Sequence, residues 1–495
     1  MLPLRPLPVG LWLVLGVTMV ACADAPVPVA TPARMPIVLI SMDTLRADRV
    51  GAYGNPNGLT PNLDKFAAEA VVFDHAYSQA TQTAPSHASV FTSRYPSEQA
   101  GIDYQPILMR EHPTLASVLS LYDYQTGAYV AGGDLSSHRN LMQGFASYGS
   151  GPDFGSLHHT TPLATAWLDG LDRSRPWFLF LHGYDCHARY LKPTPFGYLH
   201  ADLAYKGVGQ ELARTATERL IDGMVYKEFA GMLRAHTTVL RPRSEDGRAQ
   251  LAEIIGEHDK PVPVEQADLD VIRGAYDGAV AYADAMFGIA MADLEARGVL
   301  DQALIVVFSD HGEQLGERGL FGHCCGAEEE ETRVVLMARM PRGDRGGRHV
   351  DGLVELVDVM PTLVELAGGT IPARVRGRSL AAAIRGEPFE GRPYAHTEGN
   401  QLTRLVTVRG PAGRLSYTGL YTVAALLPDM LSTASLTGPG FTTSVGLPES
   451  EREPMRQELL TWLASLDPPP SRRSAPLPES LKKSLREHGY FDVQP

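Results

Sequence analysis

Three short apolar runs, far apart in the chain, constrain its fold more than any other feature. Ile37 to Ser41, Trp177 to Leu181 and Ala303 to Phe308 are each the length of one buried strand and rich in β-branched or aromatic residues. Each runs straight into residues that do not belong in a core. Asp43 follows the first, His182 and Asp185 the second, and Asp310 and His311 the third. Helical patterns lie between them: Thr60 to Glu69 with Pro61 at its start, Val271 to Arg297, and Val357 to Leu366 with Pro361 in its first turns. Strands alternating with helices predict an α/β fold with a mainly parallel sheet flanked by helices. In such a sheet, ligands bind beyond the carboxyl ends of the strands, where these polar residues stand.

The rest of the chain divides around this core, which spans residues 35–386. Residues 200–265 are charged and weakly periodic, and read as a helical insertion over the active face. Beyond Gly386 the pattern shortens to strand-like pieces, Leu402 to Val408 and Arg414 to Tyr421, which predict a small C-terminal sheet over 387–447. Residues 448–495 form a helical tail: a helix over Ser450 to Leu466, a proline-rich break to Pro478 and a short helix over Glu479 to His488.

The first 22 residues read as a signal peptide. Arg5 precedes an apolar stretch from Val9 to Val20, too short for a membrane span, which runs into Met19-Val20-Ala21-Cys22. This end resembles a bacterial lipobox and implies lipidation at Cys22. Cleavage by ordinary signal peptidase and an uncleaved anchor are the alternatives, and all three export the chain to a periplasm or cell envelope. Residues 23–34 are a Pro/Ala-rich tether. Of the four cysteines, Cys186, Cys324 and Cys325 remain if Cys22 carries lipid, and no C-x-x-C pair supports a cysteine-rich zinc site. A formal net charge of −13 argues against a nucleic-acid partner. Oligomeric state is not legible.

Chemistry concentrates around Thr83-Ala84-Pro85-Ser86-His87. Asp43, Asp310, His311 and the Thr83 hydroxyl form a plausible ligand set for one divalent cation, which would lower the pKa of the hydroxyl. A helix starting at Pro85, just after Thr83, would offer free N–H groups to an anion. The plainer reading is that Asp43 and Asp310 cap helices. Thr81 is a competing hydroxyl, but Pro85-Ser86-His87 fixes the register on Thr83.

Several segments in order resemble the sulfatase family of the alkaline phosphatase superfamily. They are Ser41-Met42-Asp43-Thr44-Leu45-Arg46, Thr60-Pro61-Asn62-Leu63-Asp64, the Thr83 segment, Phe178 to His187, Tyr276-Asp277-Gly278-Ala279-Val280, Ser309-Asp310-His311-Gly312-Glu313, Asp358 to Leu363 and Gly377-Arg378-Ser379-Leu380. The resemblance implies an alkaline phosphatase-like core, with Asp43, Asp310 and His311 holding a metal and Thr83 as nucleophile. It places His182, Asp185, His187 and His323 around the transferred group or the leaving oxygen. His87 and Lys192 are further candidates for substrate contact, a solvated loop lysine being the plainer reading of Lys192. Members that use formylglycine need Cys or Ser where Thr83 stands and Arg where His87 stands. Threonine cannot be oxidised to that aldehyde, and the residue instead resembles the phosphodiesterase and phosphoethanolamine-transferase branches, which form a phospho-threonine. Thr44 in place of a second Asp, and His311 in place of an amide, shift the implied metal from Ca²⁺ toward Zn²⁺ or Mn²⁺. A second metal on Asp185, His187 and His323 is the weaker reading, because the Asp-x-His spacing differs from the Asp-x-x-x-His of two-zinc relatives. Cys186 beside His187 and Cys324 beside His323 suggest a disulfide from Cys186 to Cys324 or Cys325.

The resulting expectation is a metal-dependent hydrolase of phosphate or sulfate esters. A phospho-group transferase acting on envelope lipids or glycans and a non-catalytic envelope binding protein are the alternatives.

Overall fold

The computed structural model describes residues 34–99, 112–136, 140–202, 265–317, 321–323, 326–399, 405–418, 441–443 and 447–467, with positions 205, 207 and 209. The leader, Cys22, nearly all of the tether, most of the 200–265 insertion, Cys324, Cys325 and everything from 468 onward lie outside the described residues. Among the described residues no helix is long and apolar enough to cross a membrane.

The three apolar runs are adjacent strands. Strands β1 (Ile37–Met42), β2 (Val71–Tyr77), β3 (Gln125–Val130), β4 (Ser147–Ser150), β5 (Trp177–Gly183) and β6 (Leu304–Phe308) join β9 (Arg333–Val334), β10 (Leu336–Arg339) and β11 (Arg348–Glu355) in one sheet; β7 (Gln314–Leu315) and β8 (Phe321–Gly322) form a separate hairpin. The order is β11-β2-β10-β6-β1-β5-β3-β4, with β9 on β2. β1 lies between β5 and β6 and parallel to both, with Ile40 opposite Leu181 on one side and Val307 on the other. Their carboxyl ends are therefore level, and Asp43 N–H extends the ladder to Gly183 O at 3.1 Å. The sheet departs from parallel where β10 runs antiparallel to both β6 and β2. β10 returns beside β6 by way of the β7–β8 hairpin and a four-residue helix, Glu329–Thr332.

Alternation along β1 sorts its side chains into two cores. Val38 and Ile40 pack with Leu179, Leu181, Ile272, Ala279 and Phe287 under the helices Leu157–Asp169 and Gln266–Ala296. Ile37 and Leu39 pack with Phe178, Phe180, Val90, Phe91 and Leu363 under the helices Thr83–Thr92 and Val359–Leu366. The long helix starts earlier than its apolar pattern suggests, because Glu265 and Asp268 form a reciprocal cap one turn upstream of Val271.

The small C-terminal sheet is antiparallel: β12 (Ala395–Glu398), β13 (Leu405–Gly410), β14 (Gly413–Thr418) and β15 (Phe441–Thr443). The helix Glu449–Ser465 covers it through Met455, Leu459, Trp462 and Leu463. The end of this helix is clasped to the chain just past the helix Thr83–Thr92. Arg94 pairs with Asp467 at 2.9 Å, Asp467 N–H donates to Glu98 at 2.9 Å, and Arg376 bridges Glu98 and the Ser465 carbonyl. His396 stacks on Trp462 with ring centroids 4.8 Å apart.

Candidate active site

Each part of the site stands where a strand of the central trio ends. β1 delivers Asp43, β5 delivers His182 and β6 leads into Asp310 and His311. The fourth part comes from a helix. That helix begins at Thr83 itself and not at Pro85, with Gln82 as the cap position and no side-chain capping bond. Proline at the third position is tolerated because first-turn N–H groups have no intrahelical acceptor. Thr83 and Ala84 thus contribute first-turn N–H groups beside the Thr83 hydroxyl, where an anionic oxygen is favoured.

These residues converge in a fully buried cluster. Thr83 Oγ1 donates to Asp43 Oδ2 at 3.0 Å and lies 3.5 Å from His311 Nε2. His182 Nε2 lies 3.4 Å from the same Asp43 oxygen. Asp310 Oδ1 accepts from the Thr44 and His311 N–H groups at 3.2 and 2.9 Å, and its Oδ2 lies 3.5 Å from His311 Nε2. One ligand atom from each of Asp43, Asp310 and His311 falls within 4.8 Å of the others.

The donor set fits a divalent metal. Asp43 Oδ1 and Asp310 Oδ2 are buried without hydrogen-bond partners, an arrangement that is costly for carboxylates unless a cation faces them. His311 Nδ1–H donates to Gly312 O at 2.9 Å, which fixes the tautomer and leaves the Nε2 lone pair pointing into the cluster. Burial, reinforced by the Asp310 charge, pushes the Asp43 carboxyl well above the usual range. Burial acts on Asp310 in the same direction, but His311, His87 and His182 outweigh it and hold that carboxyl low. Burial also lowers His311 and, together with the neighbouring His87, takes His182 well down.

The outer histidines form a second arc. His323 follows β8, and its Nδ1–H donates to Glu313 Oε1 at 2.9 Å. Its ring lies 4.5 Å from that of His311 and 5.1 Å from that of His187. His187 is buried, which together with His323 holds it well below the usual range, and its Nδ1–H donates to Ala188 O at 2.7 Å. Tyr184 stands between the two histidines of its own segment, edge-on to His182 at 4.6 Å and to His187 at 5.3 Å.

Three of the expected substrate contacts are engaged elsewhere. His87 is fully buried beneath Thr83; its Nδ1–H donates to Thr83 O at 2.8 Å and its Nε2 accepts from Ser41 Oγ at 2.8 Å. The Asp185 carboxylate accepts from Leu157 N–H at 3.0 Å, at the start of the helix Leu157–Asp169, and burial raises it to about 7. Lys192 Nζ donates to His187 O at 2.9 Å, and burial lowers its pKa. Cys186 is a free thiol packed in the apolar core with Tyr190 and Tyr276, and its suggested disulfide partners Cys324 and Cys325 lie outside the described residues.

Glu313, Ser41 and Tyr276 carry contacts that sequence reasoning did not assign. Glu313 had a signal, lying two residues past His311 in a recognised segment. The Ser41 contact needed the register of β1 against the helix Thr83–Thr92. Tyr276 stood in a recognised segment without a stated role.

A mixed α/β sheet with an acidic, histidine-rich cluster at its carboxyl edge and a hydroxyl at a helix start defines a hydrolase-type site. The comparisons agree in kind. The family profile described as Sulfatase matches residues 36–369, and the chain belongs to the sulfatase family, within the alkaline phosphatase-like superfamily. It is 25% identical over 405 residues to an arylsulfatase of Clostridium perfringens, covering 73% of this chain and 81% of that one. It is 24% identical over 431 residues to the multifunctional alkaline phosphatase superfamily protein PehA of Trinickia caryophylli, covering 74% and 80%. Among solved structures, a phosphonate monoester hydrolase of Agrobacterium radiobacter superposes with a TM-score of 0.62 at 19% identity, covering 87% of this chain and 96% of that one, a likeness of fold.

Proposed function

We propose that this chain is an exported, metal-dependent hydrolase that cleaves a phosphorus or sulfur ester by in-line attack of Thr83. The observation that carries the reading is the placement of the Thr83 hydroxyl, 3.0 Å from Asp43 and 3.5 Å from His311, at a helix start. Asp43, Asp310, His311 and Thr83 would hold one divalent cation, and their mixed oxygen and nitrogen donors suit Zn²⁺ or Mn²⁺ better than Ca²⁺. When bound, that cation supplies Lewis-acid charge to the reacting group and acidity to the hydroxyl. Asp43 orients the hydroxyl by accepting its proton. Thr83 Oγ1 bonds to phosphorus or sulfur, and the ester oxygen leaves with the bonding electron pair. His323, held by Glu313, protonates that oxygen, with His182 and His187 lining the transferred group. Water then displaces Thr83 and frees the acid.

Threonine at the attacking position favours phosphoester or phosphonate-ester chemistry without formylglycine; the names of the multifunctional relative and of the phosphonate monoester hydrolase bear on the ester and not on the nucleophile. The lipobox-like end at Cys22 supports a membrane-tethered envelope location. Purified enzyme, with and without chelator, is to be tested on aryl phosphodiester, aryl phosphonate and aryl sulfate substrates, followed by acid quench and peptide mass spectrometry. Turnover with a covalent adduct on Thr83 is expected. Turnover that survives Thr83→Ala sinks the mechanism.

A further inference from the structure

The segment around Tyr276 is prominent in the sequence, yet its residues touch no reacting atom. Tyr276 is fully buried midway along the helix Gln266–Ala296, packed edge-on against Tyr190 at 5.4 Å. Its hydroxyl donates to Thr44 O at 2.6 Å and accepts from Arg46 N–H at 3.1 Å. Both partners belong to the turn that leaves Asp43.

That turn is strained. Thr44 has φ +56°, in the left-handed region that β-branched residues rarely enter. Its side chain does not compensate, because Thr44 Oγ1 is buried without a hydrogen-bond partner. The backbone is held instead at its two ends, by Thr44 N–H on Asp310 Oδ1 at 3.2 Å and by Thr44 O on Tyr276. Relaxing Thr44 to a negative φ would redirect the chain immediately after Asp43, the residue that must face both Thr83 and Asp310. The same helix fixes the next element too: Asp284, about two turns on, accepts from Asn62 and Leu63 N–H at 3.1 and 2.8 Å.

We infer that the Tyr276 hydroxyl is a positioning group for the metal site, keeping Asp43 in ligand geometry by holding the strained Thr44 turn. This rests on the reading of Asp43, Asp310 and His311 as metal ligands.

The test is metal affinity, measured with Zn²⁺ and with Mn²⁺ by competition against a chromophoric chelator. Tyr276→Phe removes one oxygen and is expected to weaken Kd about tenfold or more, as loss of an outer-shell partner does. Glycine takes a positive φ without strain. In a Thr44→Gly background, therefore, Tyr276→Phe is expected to change Kd by less than about threefold, a coupling that loss of packing would not produce. Wild-type Kd in Tyr276→Phe overturns the inference, and so does an equal loss in both backgrounds. Should Tyr276→Phe not fold alone, the double variant decides: near wild-type Kd supports the inference, and weak binding or misfolding overturns it. Absence of metal binding by the wild-type chain overturns the metal-site reading itself, a distinct result.

Discussion

Thr83 Oγ1 and His182 Nε2 converge on one oxygen of Asp43, at 3.0 and 3.4 Å, so a single carboxylate meets both the hydroxyl and an imidazole. Thr83→Ala removes the hydroxyl together with the γ-methyl. We expect kcat to fall by at least about 10³-fold while bound metal stays near wild-type, because three ligands remain. Thr83→Ser should retain measurable turnover. Metal content by atomic emission alongside kcat checks both; loss of metal in Thr83→Ala would move the residue from nucleophile to essential ligand.

His323 and Glu313 make a separate prediction about the leaving oxygen. A proton donor matters in proportion to the basicity of the leaving group. His323→Gln should therefore lower kcat strongly on phenyl esters and only slightly on p-nitrophenyl esters, and Glu313→Gln should follow the same order more weakly. Equal losses on both esters would remove His323 from the proton-transfer role.

Metal binding should weaken in acid. Asp43 is raised by burial and by Asp310, so the metal-free site keeps a proton to a higher pH than an isolated carboxylate. Binding must expel that proton. Below the raised Asp43 pKa, affinity should fall about tenfold per pH unit. Titrations of Zn²⁺ affinity across pH check the slope, and a flat profile contradicts a shared proton at Asp43.

Glu331, whose carbonyl accepts from Gly312 N–H next to His311, predicts a pH dependence of stability. It is fully buried, accepts from Gln314 at 2.6 Å, and burial raises it from 4.5 to about 7. The folded state then binds the proton more tightly than the unfolded state, so stability is lost as pH rises from the unfolded pKa through the folded one. Glu331→Gln mimics the protonated form. It should match wild-type near pH 5, and by pH 8 exceed it by roughly 2–3 kcal/mol. Urea unfolding at both pH values measures the difference, and a gain at pH 5 alone contradicts the assignment.

The C-terminal helix should report on the nucleophile. Trp462 packs edge-on against Tyr95 at 5.0 Å and face-on against His396. Trp462→Ala is expected to cost about 3 kcal/mol and to raise exchange of amide protons in both Glu449–Ser465 and Pro96–Gln99. Exchange confined to the tail helix would show that the two are not coupled.

Much of this site is legible in the sequence because each contributing strand is a continuous apolar run with its polar residues just past the end. A buried run in that pattern places Asp43, His182, Asp310 and His311 on one edge before any coordinates exist. The antiparallel β10 was not legible, since Leu336–Arg339 is a short buried run like the parallel strands and direction leaves no mark on composition. The helix start at Thr83 was missed by two residues because proline is acceptable anywhere in the first turn. His87 and Asp185 look like ligand contacts in sequence. Only the fold reveals that Ser41 and Thr83 occupy one and the Leu157 N–H group the other.

The clasp of Arg94 and Glu98 onto Ser465 and Asp467 has a consequence for biogenesis. The segment following the nucleophile is completed by residues made nearly four hundred positions later. A ribosome emits Thr83 well before the residues that buttress the segment following it. A nascent chain therefore carries Thr83 and the residues around it without this support, and the clasp closes only once the helix Glu449–Ser465 has left the ribosome.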